Sequence, residues 1–128
     1  MTTVDEGPVE LGKIVALIRE FVKARDWEQF HRPTSLAMSA SIELGELLEL
    51  FQWKSDDEIV QALHESGYKE AVGSEIADVL IYLLRLCDVT GVDITEALLR
   101  KMKKNEEKYP VKDWEGRAPS KLNRRQTQ

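Results

Sequence analysis

Apolar residues recur every three or four positions along most of this chain, the pattern of amphipathic helices. Leu11, Ile14, Val15, Ile18, Phe21 and Val22 mark a first helix that opens after Pro8 and ends near Arg25. Asp26 to Pro33 has no clean period, and Thr34 and Ser35 follow it as candidate N-caps. Leu36, Ala40, Leu44, Leu47, Leu48 and Phe51 place a second helix from about Ser35 to Trp53. Ser55-Asp-Asp-Glu58 is a capping-box pattern that opens a short third helix, with Gly67 as its stop. A fourth helix is predicted over about Tyr68 to Val89, stopped by Gly91. A fifth starts from a cap within Asp93 to Glu96 and ends near Lys108, before Tyr109-Pro110. No alternating run of β-branched residues is present, so the predicted class is all-α, a bundle of four to five helices. The expected layout is a flexible N-terminus over 1–8, one folded domain over 9–110 and a flexible polar tail over 111–128.

The fourth helix carries the most chemistry. At 100° per residue, Glu75, Asp78, Tyr82 and Arg85 share an arc of about 80°. Nearly everything else from Ile76 to Cys87 is apolar, so this helix is expected to be buried in a bundle or an oligomer. The second helix supplies Glu43 and Glu46, three apart on one face beside its apolar stripe, while Glu49 rotates further from the core. Two inward pairs bring four carboxylates together, with no evident cationic partner for all of them. Buried carboxylates are costly unless they are neutralised or hold a metal. An oxygen-only donor set suits a hard cation, Mg²⁺ or Mn²⁺. Mg²⁺ commonly bridges to substrate phosphates, so the implied chemistry is attack of water on a phosphoryl group. Glutamate is also a good helix former, and the same acids read alone as a solvated face.

Composition and charge narrow the choice. The 128 residues make one domain on ordinary grounds, and 42% hydrophobic content suffices for a core. A net charge of −5 argues against binding to nucleic-acid polymers but not against a nucleotide substrate, since a divalent cation reverses the local sign. The single cysteine, Cys87, cannot form an intramolecular disulfide and reads as a buried, inert thiol. No apolar run is long enough to span a membrane, and Met1 to Gly7 lacks a signal-peptide core. The expected setting is therefore cytoplasmic, with no membrane partner.

More specific blocks accompany the acids: Arg25-Asp-Trp-Glu-Gln-Phe-His31, Glu49-Leu-Phe-Gln-Trp53, Asp78-Val-Leu-Ile-Tyr82, and Lys101 through Asn105 to Tyr109-Pro110. With Glu43-Leu-Gly-Glu46 and Glu75-Ile-Ala-Asp78, the set resembles the MazG-like all-α nucleoside triphosphate pyrophosphohydrolases. Within them it looks most like the dCTP pyrophosphatase branch, over about Ile18 to Pro110. The resemblance implies hydrolysis of a nucleoside triphosphate to monophosphate and pyrophosphate, with dCTP or modified cytosine deoxynucleotides first among substrates. It implies that Glu43, Glu46, Glu75 and Asp78 are catalytic and hold magnesium. It implies further that Trp27, His31 and Trp53 line the base and sugar pocket, and that Tyr82, Lys101 and Asn105 contact the triphosphate or sugar end. It implies a homodimer or homotetramer, in agreement with the apolar fourth helix. Two departures stand out: Ser74 occupies a position where several relatives carry an acid, and Asp56 to Lys69 does not match the branch.

The other readings of these residues stay open at this point. Trp27 and Trp53 are equally core or interface aromatics, although an indole can stack on a base. His31 alone is more often structural. Lys101 and Asn105 share a helix face, whereas a lysine run is usually solvated. Gly45, unfavourable in mid-helix, signals a close helix approach or room for a ligand. A di-metal carboxylate bundle needs two Glu-x-x-His motifs, and the chain has one, Glu28 to His31. A non-enzymatic helical interaction module is the remaining alternative.

Overall fold

The computed structural model describes residues 8–119; the expectations for 1–7 and 120–128 lie outside the described residues. The described residues form six α-helices, one 3₁₀ turn and no strand. The helices are α1 (Leu11–Ala24), α2 (Pro33–Glu49), α3 (Asp56–Ala62), α4 (Tyr68–Thr90), α5 (Ile94–Lys108) and α6 (Val111–Trp114). The 3₁₀ turn, Glu28–Phe30, occupies the aperiodic stretch between α1 and α2. Two compact units divide at Ile94 and Thr95.

In the first unit, α2 lies along α4 as the most extensive helix pair, and α1 also meets α4. The apolar spacing dictates this pairing: Val22, Leu36, Ala40 and Leu84 are the buried hydrophobic residues. Local signals set most helix ends. Ser55 accepts from the Glu58 backbone N–H and the Glu58 carboxylate accepts from the Ser55 N–H, which closes the expected capping box. Gly91 takes the left-handed conformation at φ 76°, as a C-terminal stop requires.

Elsewhere the boundaries differ from the sequence reading. The second helix stops at Glu49, four residues short of Trp53, and its last amides tighten onto i−3 carbonyls. The cause is tertiary: the Tyr68 hydroxyl donates to the Leu50 carbonyl at 2.6 Å and satisfies it away from any helical partner. Gly67 does not end α3, which stops at Ala62; at φ 95° it leads into α4, and its N–H donates to the Glu70 carboxylate. Val111 to Trp114, expected as loose tail, make one helical turn in which Trp114 meets Tyr109 edge-on at 5.0 Å. Cys87, read as buried, is half-buried.

Within a single chain α4 is buried over only part of its circumference. Within one chain only Leu84 and Arg85 are buried there, while Ile76, Leu80, Ile81 and Leu83 stay exposed. On α2, Met38, Ile42, Leu44 and Leu48 are exposed as well. Among the described residues, no helix is long and apolar enough to cross a membrane.

The buried charge is Arg85, only 7% exposed. It donates to Asp88 at 2.8 Å, and Asp88 also accepts two bonds from Arg19 of α1, at 2.9 and 2.7 Å. The Arg19 guanidinium, followed by Arg85, holds the Asp88 carboxyl below its usual range against the opposing effect of burial. The Arg19–Asp88 bridge ties α1 to α4, and the Arg85–Asp88 bridge within α4 balances a buried charge that would be costly unpaired.

Candidate metal centre

The packing of α2 on α4 turns the two acidic pairs toward each other. One carboxylate oxygen each from Glu43, Glu75 and Asp78 lies within 4.8 Å of the others, and all three residues are half-buried. Glu46 is exposed and stands outside that three-oxygen group. It is still electrostatically part of it, because it raises the carboxyls of both Glu43 and Glu75.

The consequence is crowding of negative charge. The hydrogen bond with Glu46, then desolvation and the charges of Glu46, Asp78 and Glu75, push the Glu43 carboxyl up from its usual 4.5 to about 7. Desolvation first, then the Glu46 and Asp78 charges, raises Glu75 as well. Glu49, exposed at the end of α2 and outside the three-oxygen group, adds only the smallest contribution to that rise. No ion pair among the described residues relieves these carboxylates. Glu43 Oε2 and Glu75 Oε2 are buried with no hydrogen-bond partner. Orphaned buried oxygens in an oxygen-only donor set fit a hard divalent cation.

The other candidates are placed as follows. Tyr82 lies half-buried one turn beyond Asp78 on α4. Trp27 packs edge-on against Phe21 at 5.7 Å and keeps a partly exposed indole. Trp53 is 92% exposed and sits at φ 65°, a left-handed conformation costly for a bulky residue. His31 accepts a hydrogen bond from Arg85. Lys101, exposed, and Asn105, half-buried, lie on α5 in the second unit. Gly45 answers to room rather than to close approach within the chain: a Cβ there would meet nothing within 4 Å. It opens onto a groove of about 460 Å³ lined also by Leu48, Glu49, Phe51 and Gln52. Neither the place of Gln52 in this groove nor the bond from Arg85 to His31 is readable from the sequence. Gln52 was visible only as part of the Trp53 block, and nothing local marks the partner of Arg85.

The crowded carboxylates predict a pH effect on the metal-free protein. A carboxyl whose folded pKa is raised contributes stability fully present below its unfolded value and lost as pH rises through its folded value. Glu43 therefore lowers stability progressively between about 4.5 and about 7. His31, whose pKa is lowered by burial and then by Arg85, acts with the opposite sign, its contribution being lost as pH falls. Comparison of parent with Glu43→Gln separates the two. In chelator-treated protein the parent should lose more thermal stability than the variant between pH 4.5 and 7.5. Parallel curves would remove Glu43 from the repelling cluster.

Comparison with known proteins gives a consistent result. Residues 38–119 match the MazG-like family. The chain is 45% identical over 101 residues to a rat protein named dCTP pyrophosphatase 1, and 44% identical to the human protein of that name. Each alignment covers 79% of this chain and 59% of the relative, so the chain spans less than two thirds of those proteins. A crystal structure of a pyrophosphatase from Archaeoglobus fulgidus superposes with a TM-score of 0.72 at 47% identity, covering 84% of this chain and 99% of that one. The acidic pairs lie inside the matched region, on the two helices whose pairing the packing enforces, and the chain belongs to the MazG-like family.

Proposed function

We propose that this protein hydrolyses a nucleoside triphosphate with water to the monophosphate and pyrophosphate, using Mg²⁺, or Mn²⁺ in its place. The cluster of Glu43, Glu75 and Asp78, with its two orphaned oxygens, carries the reading. These three residues, with Glu46 beside them, would hold the cation. When bound, the cation neutralises phosphate charge and polarises the phosphoryl group toward attack. The chain's own carboxylates do the rest. Their clustering would supply the negative field that retains a divalent ion, with Glu46, more exposed than the others, as the fourth carboxylate. Trp27 and Trp53 offer indole faces for the base, His31 a polar edge, and Tyr82 a group for the phosphate and sugar end. Cytosine deoxynucleotides are the first substrates to test, because the rat and human relatives are named for dCTP. The reading as a di-metal bundle with histidine ligands is weakened, since His31 Nδ1 is engaged by Arg85.

A screen of triphosphates in H₂¹⁸O with Mg²⁺ tests the reaction. The expected products are monophosphate and intact pyrophosphate, with dCTP or a modified cytosine deoxynucleotide turned over fastest. Diphosphate and orthophosphate as primary products would contradict the proposal.

We also infer a homodimer or homotetramer, because α2 and α4 leave two apolar faces exposed in the single chain. Light scattering should give a multiple of 14.7 kDa, and the monomer mass at working concentration would refute it.

A further inference from the structure

We propose that Arg85 is a positioning residue that fixes His31 as a neutral imidazole with its proton on Nε2, so that His31 meets the nucleoside only as a hydrogen-bond donor. The inference rests on the reading that His31 contacts the nucleoside. Its own ground is the bond from Arg85 Nε to His31 Nδ1, at 3.0 Å.

A guanidinium has donors and no acceptor, and it stays protonated at any ordinary pH. Whichever ring nitrogen faces it must therefore present a lone pair. The single remaining ring proton is then on the other nitrogen, here Nε2. An imidazolium in this place would aim an N–H at a guanidinium and put two cations in contact.

The guanidinium cannot easily swing away. Arg85 is 7% exposed, and its Nη1 donates to Asp88 Oδ2 at 2.8 Å. Asp88 is fixed in turn by the two bonds from Arg19. The charged group that faces His31 is Arg85 on α4, itself balanced by Asp88 on α4 and, through Asp88, joined to Arg19 on α1. Burial and the Arg85 charge both lower the pKa of His31, in the same sense as the geometry.

A fixed Nε2–H selects by chemistry. It pairs with an oxygen acceptor of the nucleoside, a pyrimidine carbonyl or a sugar oxygen, and is a poor partner for an exocyclic amine. Nothing in the sequence points to this arrangement, because the two residues are 54 positions apart.

The test compares the full-length parent with Arg85→Met and His31→Ala. Arg85→Met keeps apolar bulk, removes the donor, and leaves Asp88 its two bonds from Arg19. Long-range ¹H–¹⁵N NMR of the parent at pH 7 should show His31 protonated on Nε2 and bare on Nδ1. In Arg85→Met the protonation should become mixed, and the titration midpoint should rise toward the ordinary histidine value. With dCTP and Mg²⁺, Arg85→Met should raise KM about three- to tenfold, the effect of one weakened hydrogen bond, with kcat changed less than KM. With the 3′-deoxy analogue ddCTP, persistence of that KM effect assigns the acceptor to the base, and its loss assigns it to the sugar 3′-oxygen. A parent His31 that is charged, or protonated on Nδ1, at pH 7 would overturn the inference without any activity measurement. So would an Arg85→Met KM equal to the parent's. An unchanged KM in His31→Ala would instead remove the nucleoside contact on which the inference rests.

Discussion

Repulsion among carboxylates is the constraint around which this molecule is arranged. The apolar stripes of α2 and α4 bury Leu36, Ala40 and Leu84, and in doing so they force Glu43, Glu75 and Asp78 together. Hydrophobic packing is non-directional and proportional to area, so it can hold like charges at close range. The strain is visible in the raised pKa of Glu43 and Glu75 and in the two carboxylate oxygens without partners. A site in that condition gains most from a divalent cation, which turns an electrostatic liability into affinity.

The opposite end of α4 solves the inverse problem. There a buried cation, Arg85, is balanced by Asp88 and extended to Arg19 and His31. The same helix thus carries an uncompensated acidic cluster near its middle and a compensated charge network two turns on. The contrast separates the two roles. Satisfied charges anchor α1 and the loop before α2, whereas the acidic cluster is left with two carboxylate oxygens unpartnered.

What was legible in the sequence was mostly local. The Ser55 capping box and the Gly91 stop involve neighbours three or four residues apart, and both appear in the structure as read. The acidic pairs were legible because i,i+3 spacing fixes their faces, and the apolar flanks of α4 told which way those faces turn. The early end of α2 was not, because Tyr68 captures the Leu50 carbonyl from 18 positions away. Neither was the Arg85–His31 bond, nor Arg19 to Asp88 across 69 positions. Glu49, read as rotated further from the core, is exposed and stands outside the three-oxygen group. The exposed apolar faces of α2 and α4 are a further case. Periodicity marks them as surfaces to be buried but does not say whether the same chain or another copy does it.

If Glu75 shares a cation site with Glu43 and Asp78, its charge governs both the metal-free stability and the response to metal. The most direct measurement is the Mg²⁺ dependence of thermal stability in the parent and in Glu75→Gln, without nucleotide. A ligand at ten times its Kd stabilises the folded state by about 1.4 kcal/mol through mass action, and the parent should show that gain. Glu75→Gln should be as stable as the parent or more so in chelator, because one repelling charge is gone, and should gain almost nothing from the same Mg²⁺. A variant that responds to Mg²⁺ as the parent does would contradict the account.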